Sequence, residues 1–312
     1  MRYVLSRIAS TIPTLLLIAM ASFVLVRVIP GDPVHVMFGD IPNPVAAEQM
    51  RQRLGLDKPL LVQAQIYLSD LVRGDIGVSI RTRQPVLSEI GTVFPYTLLL
   101  AVAASVLAVV IAVPIGVYAA LHRGRIGDLI TMALAVLGRA MPNFWLGIVL
   151  LLVFSLRLGW FPAIGSGSWS DPGSLISALI LPAVALAVAE AAFLARITRS
   201  GVLDVLPEDY VRTARAKGMG RRTVLYGHAL RNALIPLVTV VGLSFGRLVT
   251  GAVVVEVVFS RPGLGTLLVS AIDNRDYALI QGAVLVFAVL LVITNLLTDF
   301  AYGLVDPRIR RG

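Results

Sequence analysis

Six stretches of mostly apolar residues recur along this chain, at 9–29, 97–121, 130–156, 175–194, 233–255 and 279–302. A helix needs about 20 such residues to cross the hydrocarbon of a bilayer. No water is available there to satisfy backbone N–H and C=O groups, so each stretch must close its hydrogen bonds internally, as a helix. The expected fold is therefore all-α: a polytopic integral membrane protein with six transmembrane helices. Composition agrees, since 57% of the 312 residues are hydrophobic and only 14% are charged, against about 25% charged in an ordinary soluble domain. The third stretch is the least regular, because Gly138, Arg139 and Pro142 interrupt it. It reads either as one broken span or as a short amphipathic helix ahead of a span that begins near Pro142. The first stretch follows "MRYVLSR", as a signal peptide would. It is longer than a usual signal core, and no small-x-small site follows the run before "IPGDP", so an uncleaved span is expected.

The basic residues fix an expected orientation. They cluster at 2–7, 123–125, 196–231 and 308–311, segments that fall on one side of a six-span chain. By the positive-inside rule that side is cytoplasmic, and with it both termini. The net charge of +9 then reflects topology, and no nucleic-acid partner is implied. The chain divides into an N-terminal helix plus an outer region (1–96) and a core of five helices (97–312) with a cytoplasmic loop at 196–232. The outer segment 30–96 is neither low-complexity nor strongly charged, and carries apolar positions such as Leu54, Leu56, Ile66, Tyr67 and Leu71; a folded segment is expected there.

Several chemistries lack their parts. There is no cysteine, hence no disulfide or thiolate site. The two lysines, Lys58 and Lys217, are followed by Pro59 and Gly218, so no P-loop can cradle a nucleotide. His35, His122 and His228 are scattered outside the spans, and no zinc-hydrolase motif occurs. "GSGS" at 165–168 has no histidine in any span to serve as base, and reads as a flexible loop. No catalytic residues and no metal site are expected. Of the charges in or near the spans, Glu190, Glu256 and Asp299 are placed by hydropathy within a turn or two of an interface, where snorkelling or a local hydrogen bond would accommodate them. Arg247 falls near the middle of the fifth span. A charge there costs about 2.5–3.5 kcal/mol on insertion scales, so it must face a polar interior, a subunit interface or a water-filled pathway, and it is the candidate pathway residue.

The most charged segment between spans is "DYVRTARAKGMGRR", in which Arg212, Arg215, Lys217, Arg221 and Arg222 stand against the single acid Asp209. Pro207 suits the first turn of a helix, Glu208 and Asp209 its positive end, and Gly218 its stop. The pattern predicts a helix over 207–217. Tyr210, Val211 and Ala214 share one face, Arg212 and Arg215 another. Such a helix, with a small apolar knob and a basic rim, suits a groove on another protein; the alternative is a basic loop that only sets topology or meets anionic lipid.

The stretch "EDYVRTARAKGMGRRTVLYGHALRNALIP" (208–236) resembles the so-called EAA loop of ABC-importer permeases, and more narrowly that of the dipeptide/oligopeptide/nickel branch. "RVIPGDP" (27–33), "LGLDKP" (54–59), "GDIGVS" (74–79), "PYTLLL" (95–100), "VFSRPGLGTLLVSAIDNRDYALIQG" (258–282) and "DPRIR" (306–310) are similar to the B-type subunit of that branch, in order along nearly the whole chain. In the loop's E-A-A-x3-G pattern, Arg212, Thr213 and Ala214 take the first three places and Gly218 the glycine. The initial Glu is absent, as is usual in the peptide branch, and of the later I-x-L-P only Leu230 matches. The resemblance implies a type I importer permease that is not itself an enzyme. It would pair with a second, C-type permease subunit. Two ATPase subunits would bind ATP, so this chain needs no cofactor, and an extracytoplasmic binding protein would land partly on 30–96. The residues implied for ATPase docking are Asp209, Tyr210, Val211, Arg212, Thr213, Ala214, Arg215, Ala216, Lys217 and Gly218. The implied cargo is a dipeptide or oligopeptide crossing the bacterial cytoplasmic membrane, with glutathione, haem or chelated nickel as alternatives. An ion-coupled secondary transporter is the rival of another class; it would need deep ionisable relays or paired discontinuous helices, and Arg247 alone does not supply them.

Overall fold

The computed structural model describes residues 2–28, 44–53 and 55–305. Residues 29–43, Leu54 and the "DPRIR" tail lie outside these, as does much of the expected "RVIPGDP" motif. Among the described residues there is no β-strand, only two isolated bridges, Val78–Pro85 and Ser168–Asp171. The helices are α1 (Arg2–Val28), α2 (Pro44–Arg53), α3 (Leu60–Val72), α4 (Val86–Leu121), α5 (Ile126–Ala140), α6 (Asn143–Leu150, continued by a π-helical stretch Leu151–Arg157), α7 (Pro172–Val205), α8 (Asp209–Ala216), α9 (Arg221–Thr223), α10 (Ile235–Val258), α11 (Leu264–Asp273) and α12 (Tyr277–Val305). Between α9 and α10 the chain forms a π-turn, Val224–Ala229, and one more turn, Leu230–Ala233.

Helices α1, α4, α7, α10 and α12 are each long and apolar enough to cross a membrane. A sixth span arises if α5 and α6 are counted as one, although they meet at 99°. Pro142 explains the bend: it offers no N–H to continue the ladder and drives Met141 into an extended conformation, φ −75°, ψ 126°. Gly138 does not break α5. A Cβ there would stand 3.3 Å from Val188 Cγ1, so the glycine lets α5 lie close on α7. Helices α4 and α7 extend well past the apolar stretches, to 36 and 34 residues. Hydropathy cannot detect these extensions, because polar residues that end an apolar window are still good helix formers.

The chain forms two compact units. In the first, residues 1–95 and 262–292, Val26, Val86, Ile90, Leu264, Ala271, Leu279 and Ile280 make one core. Ser79 Oγ donates to Asp276 Oδ2 at 2.6 Å, while Asp276 Oδ1 receives the Leu279 N–H and caps α12. Helix α3 is tied to α1 by Arg27 Nε donating to Gln63 Oε1 at 2.9 Å and by stacking of Phe23 on Tyr67. The expected folded segment is thus present over its described part, although Ile66 is exposed and the buried positions of α3 are Gln63 and Ala64.

In the second unit, 96–261 and 293–312, small residues set the helix spacing. Ala104, Ala108 and Ala112 are fully buried and recur every fourth residue, with Gly116 next in the row. Ala104 packs with Ala183 and Ala185 of α7, and Ala108 and Ala112 pack with Ala187, Ala191 and Ala195. At Gly116 an added Cβ would stand 2.5 Å from the Ala195 carbonyl oxygen, so the backbones approach as closely as side chains allow. Polar links are few and direct. Thr97 Oγ1 donates to Glu256 Oε1 at 2.6 Å in the interior, in line with the local hydrogen bond expected for Glu256. Asp128 receives Nε and Nη2 of Arg199 at 2.7 and 2.8 Å, a bidentate pair joining α5 to α7.

Candidate functional site

The loop between α7 and α10 is an ordered structure. Helix α7 ends at Val205 and a turn leads through Glu208, at φ −61° and ψ 145°, into α8. Asp209 lies in the first turn and Arg215 in the last, each favourable to the helix dipole. The stop is a Schellman motif: Gly218 N–H donates to Arg215 O and Met219 N–H to Ala214 O, at 3.0 and 3.3 Å. It requires the left-handed φ of +77° that Gly218 adopts. The helix is shorter than the expected 207–217, because Pro207 belongs to the preceding turn.

An 8-residue helix has no stability of its own in water, so α8 must be held by packing. Val211 and Ala214 are buried, with Val224 and Ala229, and Val205 and Leu206 pack against them. This corrects the expectation of an outward apolar knob: those two side chains are the seat of the helix on its own chain. Tyr210, also assigned to that face, is half-exposed and its hydroxyl accepts from Asn232 Nδ2 at 2.9 Å. The outward face consists of Asp209, Arg212, Thr213, Arg215, Ala216, Lys217 and Gly218. Arg212 and Asp209 pair at 3.5 Å but remain 73% and 97% exposed, so the pair contributes little to stability and leaves both charges available. Below the seat, Leu225 and Ala233 pack with Val117 and Ala120 of α4 and Val202 of α7. Gly201 lets the loop lie against α7, where a Cβ would be 2.6 Å from the Ala233 carbonyl oxygen. The seat of α8 is thus joined to α4 and α7 by contiguous packing.

Arg247, near the middle of α10, stands 3.5 Å from Glu190 Oε1 and donates to Ser244 Oγ at 2.6 Å. The expectation that Glu190 snorkels near a span end is corrected. Because α7 runs on to Val205, Glu190 lies mid-helix, and its side chain is only 5% exposed. Arg139 of α5 joins them: both guanidinium groups lie over the Phe193 ring, at 5.4 Å for Arg139 and 5.5 Å for Arg247. Arg139, Asn143, Glu190 and Arg247 line one cavity of about 300 Å³. Sequence reasoning found only Arg247 as deep; the available signal was that Arg139 and Glu190 are the other charges within the apolar stretches that fold next to it.

Several helices able to cross a membrane, with an ordered helix seated in the loop between two of them, define a multi-pass membrane protein. Two family descriptions match: "Binding-protein-dependent transport system inner membrane component" over residues 112–311 and "Binding-prot-dependent transport system membrane comp, N-term" over 1–101. The glutathione transport system permease protein GsiC of Salmonella choleraesuis (strain SC-B67) is 44% identical over 99% of each chain, and that of Escherichia coli (strain K12) 43% identical over the same share. An inward-facing structure of the MetNI methionine ABC transporter is similar at TM-score 0.57 and 22% identity, covering 71% of this chain and 98% of that one; at that identity the likeness speaks for the fold alone. The chain belongs to the family of binding-protein-dependent transport system inner membrane components. It is a multi-pass inner-membrane permease subunit of an ABC importer.

Proposed function

We propose that this chain forms half of the translocation path of a short-peptide importer and that the outer face of α8 is where an ATPase subunit docks. In this reading both termini and the α7–α10 loop are cytoplasmic. A C-type permease subunit supplies the other half of the path, two ATPase subunits bind and hydrolyse ATP, and a binding protein lands partly on the outer region within 1–96. This chain carries out no chemistry on its cargo. The single observation that carries the proposal is the division of α8 into two faces. Val211 and Ala214 are buried in the chain's own core, while Arg212, Thr213, Arg215 and Lys217 stay exposed on an ordered helix. An ordered face of this kind, held by packing to α4 and α7, is suited to passing ATPase closure to the spans as a shift between two conformations.

The cargo class favoured is short peptides. Glutathione, named for relatives 44% identical over 99% of the chain, is itself a tripeptide joined by a γ-linkage, so it falls within that class and is the favoured member.

The test is affinity capture of the chain from membranes in mild detergent, with identification of the proteins that come with it. A P-loop ATPase and a second multi-span permease are expected. Capture of this chain alone, with uptake after reconstitution driven only by an ion gradient, would refute the importer assembly and favour a secondary transporter.

A further inference from the structure

The charged cavity between α5, α6, α7 and α10 has a composition that packing alone does not require. Two guanidinium groups, Arg139 and Arg247, share one aromatic ring, and a single carboxylate, Glu190, faces Arg247. The side chains of Arg139 and Arg247 are both exposed, Arg247 by 50%, although Arg247 stands mid-way along a membrane-spanning helix. Charges within a membrane segment are costly and face an interior or a water-filled cavity. Glu190 is the complement: it is nearly fully buried, and its Oε1 has no hydrogen-bond donor among the described residues, since Arg247 at 3.5 Å is in ion-pair range but not in bonding geometry. A buried carboxylate oxygen without a donor is unfavourable, and Glu190 is one of the residues that line the same cavity. The excess cation calls for an anion, and the open acceptor calls for an N–H donor.

We infer that this cavity binds the amino-acid head of a peptide in transit, an ammonium and a carboxylate carried on one carbon, with Arg139 and Arg247 taking the carboxylate and Glu190 the ammonium. The inference rests on the reading of the chain as a short-peptide permease. Geometry selects the head group. The carboxylate and cation partners lie side by side, 3.5 Å apart, which matches charges on adjacent atoms of a ligand. An α-linked peptide carries its terminal ammonium and carboxylate at opposite ends, further apart by roughly 3.5 Å for each extended residue. A γ-linked glutamyl peptide keeps both on the α-carbon of its first residue. The volume of about 300 Å³ is at the small end of ligand pockets, so it admits one such head and not a folded oligopeptide.

Two isomers of one composition test this: γ-glutamylglycine, which has the head, and α-glutamylglycine, which does not. Binding of each, labelled, is measured to the purified importer complex in lipid nanodiscs without its binding protein, so that selection by that protein does not enter. The wild-type complex is expected to bind the γ-isomer roughly tenfold or more tightly than the α-isomer, as loss of one charge-assisted contact would give. Glu190→Gln and Arg139→Gln should each remove most of that preference. Arg139→Gln is the safer variant for folding, because Arg139 is exposed and outside the Glu190–Arg247 pair. Equal binding of the isomers, no binding of either, or an unchanged preference in Arg139→Gln would overturn the inference. If any of these occurs in a complex that retains its ATPase subunits and imports short peptides with ATP, the permease reading stands and only the head-group site falls. If the wild-type complex imports no short peptide with ATP, both fall.

Discussion

Truncating Val211 to alanine separates the two faces of α8 by experiment. Val211 is fully buried, and the change deletes two methyl groups from a small core formed with Ala214, Val224 and Ala229. At about 0.8 kcal/mol for each buried CH₂ the transfer loss is about 1.6 kcal/mol, and the cavity left behind raises the total to about 2–3 kcal/mol. An 8-residue helix with no intrinsic stability must draw its order from that seat. A loss of about 2 kcal/mol makes the opened state roughly thirtyfold more populated. Hydrogen exchange on the assembled, detergent-solubilised importer reads this directly, because local opening sets the exchange rate. Amides 212–216 should exchange roughly thirtyfold faster in Val211→Ala, while those of α4 and α7 keep their protection. The double variant Arg212→Glu, Arg215→Glu should speed exchange in the isolated permease pair far less than Val211→Ala does, because both side chains point to solvent and only small dipole and surface-pair contributions are lost. Unchanged exchange in Val211→Ala would refute the reasoning. So would loss of ATPase binding in Val211→Ala from a helix that remains protected, since Val211 would then be a contact surface and not a seat.

Four further outcomes are expected. Arg212→Glu with Arg215→Glu should abolish copurification of the ATPase while the second permease subunit remains bound, checked by pull-down and band stoichiometry. Gly201→Val places a Cβ 2.6 Å from the Ala233 carbonyl oxygen; it should prise the loop from α7 and uncouple ATP hydrolysis from uptake in proteoliposomes, with insertion intact. Gly116→Ala meets backbone at 2.5 Å and should lower the thermal midpoint of the solubilised complex, as read by unfolding-dependent fluorescence. Asp128→Asn removes a charge from the bidentate pair with Arg199 and should also lower that midpoint, with Asp128→Ala lowering it further.

Spans, loop order and family features were legible in the sequence because each rests on local chemistry. Twenty apolar residues must become a helix in lipid, Pro142 must interrupt one, and Gly218 must end one. What was illegible depends on how a helix is turned. The pattern puts Val211 and Ala214 together on one face of α8, but which way that face points is decided by Val224 and Ala229, ten or more residues later. Glu190 looked peripheral because basic residues at 196 and 199 close the apolar window. Yet Arg199 is satisfied by Asp128, and the helix continues through it. The cavity was least visible of all, since Arg139, Glu190 and Arg247 come from three helices and meet only through tertiary packing.

The two sites share a structural element, and this bears on how they communicate. Helix α7 carries Glu190 in the charged cavity and, a few turns on, Val202 in the core beneath the loop. Between these points it is packed against α4 by small residues, with Gly116 against Ala195 and Thr198. Contacts this close leave no room for gradual deformation, and packed interfaces tend to switch between discrete arrangements. A displacement of α8 that moves α7 must therefore either carry α4 with it or break the row at Gly116. The first route carries Glu190 along with α4 and α7 as one body. Gly116→Ala discriminates the routes: if the pair moves as one body, the variant that survives folding should still couple ATP hydrolysis to uptake. If transport requires the row to slip, hydrolysis should continue while uptake stops.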